Sequence, residues 1–223
     1  MIHPGIRIMI AGDSWGCGEW DNTIPYVRPH LGTEQYFREY GCNVMNISIG
    51  GADNALSAKS IMLLAPMFNP HLIFWIQSDP LRSIKLKAAF PETLDELLHY
   101  QRKHLSDIYM QLNSLGSTIH CIGGCSKLDS QLIANYPNLI PIIPSIIEFF
   151  GCVSPAIWSS AFLIDQIRPD VPVTVLDMLL ENTADPLKIF DQKWFFPDGA
   201  HPNRSAHLKI FEYLVQHVDS PKI

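Results

Sequence analysis

No stretch of this sequence approaches the eighteen consecutive apolar residues that a membrane-crossing helix needs. The apolar run at residues 6–11 is too short for a secretory leader, and it leads into a turn rather than a cleavage site. The expectation is a cytoplasmic chain with no membrane partner. Charge is scarce: Asp, Glu, Lys and Arg make up 17% of the residues and the formal net charge is −6. Lys and Arg occur only as scattered pairs, which disfavours nucleic acid as a partner. The five cysteines, Cys17, Cys42, Cys121, Cys125 and Cys152, are odd in number and irregular in spacing. That argues against a disulfide framework. Cys121 and Cys125 have no nearby Cys/His pair to complete a zinc site. The thiols therefore read as buried or partly buried, and neither a metal nor a cofactor is expected. Internal repeats and low-complexity segments are missing too.

What is present suits one globular unit. At 223 residues with 47% hydrophobic content, the chain reads as a single domain over 1–223 with a sizeable core. Short apolar runs alternate with helical patterns. Ile6–Ala11, Asn43–Ile47, Leu72–Ile76 and Thr118–Ile122 read as strands. Leu72-Ile73-Phe74-Trp75-Ile76 is apolar throughout, as a central parallel strand covered on both faces should be. Helices are expected over Thr33–Tyr40, closed by Gly41, and over about Ala52–Ala65, stopped by Pro66. The longest is expected from a first turn at Pro91 to Gly116, with Leu94, Leu97, Leu98, Leu105, Ile108, Leu112 and Leu115 on one face. Leu139–Pro144 is apolar but broken by prolines, so it reads as an edge strand or a packed loop. Shorter helical pieces are expected near 145–150, 159–168 and 174–181. Asn203 should cap a final helix with Ala206, Ile210, Phe211, Leu214 and Val218 as its buried stripe. His207, on that helix, reads as solvated.

Strand alternating with helix predicts a doubly wound parallel sheet, whose ligands bind at the strands' carboxyl ends. Three loops gather the chemistry there. The first is Gly12-Asp13-Ser14-Trp15-Gly16, a sharp turn that would project the Ser14 hydroxyl from the sheet edge. A serine needs a base to become a nucleophile. The candidate base lies at the far end of the chain, in Asp198-Gly199-Ala200-His201, where a carboxylate three residues from an imidazole can orient it. Asp13 itself reads as a structural hydrogen-bonder in the turn. Trp15, Trp20 and Trp75 read as core, with the lining of a substrate pocket as the alternative. Gly12-x-Ser14-x-Gly16 also satisfies the nucleophile-elbow pattern of α/β-hydrolases, but that fold needs several strands before its nucleophile, and only thirteen residues precede Ser14. A dinucleotide-binding loop fails because Asp21 stands where a third glycine is required.

These blocks resemble the SGNH/GDSL hydrolases, a family of serine esterases. The resemblance implies a flavodoxin-like three-layer α/β/α sandwich with a central parallel sheet. It implies Ser14 as nucleophile, His201 as base and Asp198 as its orienter. Asn46-x-Ser48-x-x-Gly51 is similar to the family's second block and puts an oxyanion-hole N–H at Gly51, beside that of Ser14; adjacent Gly50 is the alternative. The third block departs: where the family carries Gly-x-Asn-Asp or a close relative, this chain has Gln77-Ser78-Asp79. Ser78 falls at the position of the oxyanion-binding Asn, with Gln77 as the other possible donor. The function implied is hydrolysis of short acyl or acetyl esters, carried by a small molecule or a saccharide. The alternative is a non-catalytic carbohydrate- or ester-binding protein on the same fold.

Overall fold

The alternating runs become strands and helices largely where their periodicity places them. The computed structural model describes residues 1–19, 28–80, 93–152, 193–196 and 201–219. Strands β1 (Arg7–Ala11), β2 (Asn43–Asn46), β3 (Leu72–Gln77), β4 (Ile119–Gly123) and β5 (Leu139–Ile143) form one sheet of order β2-β1-β3-β4-β5. Every pairing is parallel. This is the flavodoxin-like winding. All six residues of β3 are buried, as a continuous apolar run at the centre of a parallel sheet requires. The proline-broken run is an edge strand: Pro141 pairs with Cys121, and the register slips just beyond it. A proline costs no ladder bond on an outer edge.

Helices α1 (Thr33–Glu39), α2 (Asn54–Phe68), α3 (Leu94–Asn113), α4 (Ser130–Ile133), α5 (Ile146–Phe149) and α6 (Arg204–His217) complete the described elements. Strand alternation sorts the core into two layers. Ile8, Ile10, Phe74 and Ile76 pack with Phe37 of α1 and with Ile210 and Leu214 of α6. Met9, Ala11, Ile73 and Trp75 pack with Ala58 and Ile61 of α2 and with Leu105, Ile108 and Leu112 of α3. The result is three layers, α/β/α. Each fully buried Ile or Leu contributes roughly 1.5–3 kcal/mol. Four of the cysteines are buried, Cys152 is partly so, and all five are free thiols. Trp15 and Trp75 are core residues.

Two helix boundaries depart from expectation. Helix α2 begins at Asn54 because the Asp53 carboxylate caps it, accepting from the Leu56 N–H at 2.7 Å. It also runs through Pro66. Proline removes one N–H, but the next turn closes anyway, with the Asn69 N–H on the Ala65 carbonyl at 2.8 Å. Asn69, in the left-handed region at φ 50°, is what ends the helix. Helix α3 stops at Asn113, and Gly116 follows at φ 72°. Pro91, Trp20 and the helical pieces expected at 159–168 and 174–181 lie outside the described residues. No helix among those described is long and apolar enough to cross a membrane.

Candidate active site

The winding of the sheet reverses between β1 and β3, and their carboxyl ends frame the crevice where doubly wound proteins bind ligands. β1 approaches β3 so closely that a Cβ on Gly12 would stand 2.8 Å from the Ile76 carbonyl oxygen. Only glycine fits. The turn that follows is stitched by its own backbone: the Gly16 N–H donates to the Asp13 carbonyl at 3.0 Å and the Cys17 N–H to the Ser14 carbonyl at 3.2 Å. The buried Asp13 carboxylate accepts from the Trp15 N–H at 3.0 Å. From β2, the Asn46 carboxamide donates to the Gly16 carbonyl at 2.9 Å and accepts from the Ser48 N–H at 3.0 Å. Ser14 emerges from this turn half-buried.

His201 arrives from the other end of the chain. Its Nε2 lies 2.9 Å from the Ser14 Oγ, across 187 residues. Nucleophile–base pairs work at this separation. With the ring proton on Nδ1, Nε2 accepts from the hydroxyl. A short antiparallel bridge between Phe195 and Pro202 holds the segment. The Phe196 N–H donates to the His201 carbonyl at 3.0 Å, and the Asn203 N–H to the Trp194 carbonyl at 2.9 Å. Asn203 then caps α6, its side chain accepting from the Ala206 N–H at 3.1 Å. Phe195 packs on Trp15, ring centroids 5.9 Å apart, so the His201 segment leans on the Ser14 turn. Asp198 lies outside the described residues.

The expected oxyanion residues divide. Gly51, exposed at φ 76°, occupies the turn after β2. That turn is tied to the Ser14 loop through the Ile49 N–H, which reaches the Gly12 carbonyl at 3.1 Å. The Gly50 N–H is directed at the Cys17 sulfur; burial nonetheless pushes that thiol up to about 11. The Ser78 hydroxyl donates to Asp13 Oδ2 at 2.8 Å, and its backbone is held by Asn54. Gln77 is fully buried; its Oε1 accepts from the Tyr109 hydroxyl, and its Nε2 has no partner among the described residues. Asn54 was not singled out by its sequence position: nothing in a first-turn asparagine announces that its carboxamide reaches another strand.

His207 is a correction. It is 2% exposed rather than solvated. Its ring packs where Gly32 leaves no side chain, and its Nδ1 lies 3.1 Å from the Thr33 Oγ1. Burial lowers it to about 4. Helical phase carried the signal, since position 207 falls beside Ala206, Ile210 and Leu214.

A parallel sheet of order β2-β1-β3-β4-β5 with a serine–histidine pair at its switch point defines the class: a doubly wound α/β protein with a hydroxyl and an imidazole in proton-sharing contact. No family model matches the sequence, and no curated protein matches it significantly. Among solved structures, the chain is similar to TesA, at 15% identity over 94% of this chain and 96% of that one, TM-score 0.47. It is similar to the psychrotrophic esterase EstA from Pseudoalteromonas sp., at 11% identity over 94% of each chain, TM-score 0.49. A lipase/acylhydrolase from Enterococcus faecalis is 12% identical over 98% of this chain and 100% of that one, TM-score 0.44. Likeness this distant says nothing of chemistry, which rests on the chain's own residues.

Proposed function

We propose that this protein is a serine hydrolase that cleaves carboxylic esters, with short acyl or acetyl esters on small molecules or saccharides as substrates. The observation that carries the reading is the 2.9 Å contact between the Ser14 hydroxyl and the His201 imidazole at the carboxyl end of β1. Ser14 Oγ attacks the acyl carbon while His201 Nε2 takes its proton. The tetrahedral intermediate collapses, and His201 returns the proton to the leaving alcohol. Water, deprotonated by the same imidazole, then attacks the acyl-serine ester; the acid is released and Ser14 regains its proton. Asp198 is the proposed orienter of the imidazole. The Ser14 and Gly51 N–H groups are the proposed oxyanion donors. Placed to meet developing charge, one such donor lowers the barrier by about 2.7–4 kcal/mol. Using Ser78 as a third donor requires its proton to leave Asp13, and using Gln77 requires its side chain to leave the α3 side of the sheet.

A fluorophosphonate probe with a short acyl-ester assay tests the reading. The wild-type protein should be labelled at Ser14 and turn over ester, and Ser14→Ala and His201→Ala should each lose most of both. An unlabelled, inactive wild type sinks the hydrolase.

A further inference from the structure

A hydroxyl has one proton to donate, and the Ser78 hydroxyl directs its own at a carboxylate. Oγ of Ser78 donates to Asp13 Oδ2 at 2.8 Å, and both residues are 1% exposed. The other oxygen of the same carboxylate accepts the Trp15 N–H at 3.0 Å. Asp13 therefore spans two loops, gripping the nucleophile turn with one oxygen and the β3 tip with the other. The β3 tip is held in turn. Asn54, fully buried at the start of α2, accepts the Ser78 N–H at 2.8 Å and donates to the Ser78 carbonyl at 2.9 Å. Both backbone groups of Ser78 are bonded to one carboxamide, which fixes its Cα, and burial with the bond to Asp13 holds its hydroxyl away from an acyl oxygen. Beyond Trp15 the connection continues through Phe195 to the bridge at Pro202, next to His201.

We infer that Ser78 is a positioning residue: through Asp13 it fixes the nucleophile turn, and it does not donate to the substrate's oxyanion. This rests on the hydrolase reading above for its effect on rate, but the hydrogen bond behind it can be measured without turnover. An oxyanion donor acts on the substrate alone, so its loss multiplies with damage to Asp13. A residue acting through Asp13 has nothing left to lose once Asp13 is disabled, and the two losses then do not multiply.

The experiment is a double-mutant cycle on the full chain with Ser78→Ala, Asp13→Asn and the double variant, read by ester hydrolysis and by urea unfolding. Each single variant should lower kcat by about 10–100-fold with KM within about twofold, and the double should be no worse than the poorer single. The urea midpoints should be non-additive in the same sense. Ser78→Thr, which keeps the hydroxyl, should recover most of kcat and of the midpoint. Kinetic losses that multiply, or unfolding midpoints that shift independently, overturn the inference. A wild type that hydrolyses nothing sinks the hydrolase reading, and with it the effect on rate, while the unfolding cycle still reports on the Asp13 bond.

Discussion

Ser14 and Ser78 occupy matching places just beyond the ends of neighbouring strands. Ala11 of β1 pairs with Trp75 of β3, and each serine stands three residues further along its chain. Their surroundings differ in two respects. Ser14 is half-buried beside an imidazole, and Ser78 is buried against a carboxylate. An imidazole accepts and returns a proton near neutral pH, whereas an ionised carboxylate is a strong acceptor that holds a hydroxyl without readily deprotonating it. On the proposed chemistry the same side chain is a nucleophile at one strand end and a strut at the next, and its partner decides which.

The largest expected effect tests that contrast directly. Ser14→Ala should cut kcat for a short acyl ester by more than about 10³-fold, and Ser78→Ala by clearly less. Equal losses in steady-state kinetics would erase the distinction. Gly16→Ala should follow, at about tenfold in kcat, because a Cβ there would lie 2.4 Å from the Ser48 Oγ and push on the Ser14 turn. Adding Ser48→Ala should recover part of the rate; no recovery would locate the pressure elsewhere.

A similar contrast holds between imidazoles six positions apart, with His201 at the site and His207 sealed in the core. Burial keeps His207 neutral down to about 4, while the unfolded chain takes up the same proton near 6.5. Between those values the unfolded state binds more protons, so stability rises with pH and is lost as pH falls from about 6.5 toward 4. His30, His104 and His120, all lowered chiefly by burial, add in the same direction. His207→Gln should flatten the fall in Tm across that window, by at most about 3 kcal/mol of stability. An unchanged slope would mean that His207 is not buried in solution. The smallest effect should come from Asn203→Ala, about 1 kcal/mol for the lost cap and a few degrees in Tm. Because it loosens the His201 segment and leaves Ser78 alone, it should lower kcat without altering the Asp13–Ser78 coupling.

The elements governed by local rules were legible in the residues. Leu72–Ile76 announced a central strand by being apolar throughout, and Asn203 announced the start of α6 by its cap. Pro66 misled because proline disfavours a helix without forbidding its last turn, and the αL conformation at Asn69 is a tertiary choice. His207 misled because histidine is usually wet, although its helical phase pointed inward. Ser14 and His201 could be singled out from their turns, and the two side chains meet. The partner of Ser78 could not, since Asp13 stands 65 positions earlier and no local pattern aims one side chain at the other. Asp198 lies outside the described residues.

The separation of 187 positions between hydroxyl and imidazole has a consequence for synthesis. A nascent fragment that ends between β5 and His201 contains the five described strands and Ser14 but not the imidazole. The imidazole is delivered when α6 docks on α1, a contact between distant parts of the chain and therefore a slow one to close. On the proposed chemistry, the emerging polypeptide stays inert toward esters until α6 seats and brings the His201 segment to Ser14, a latency written into the order of the elements.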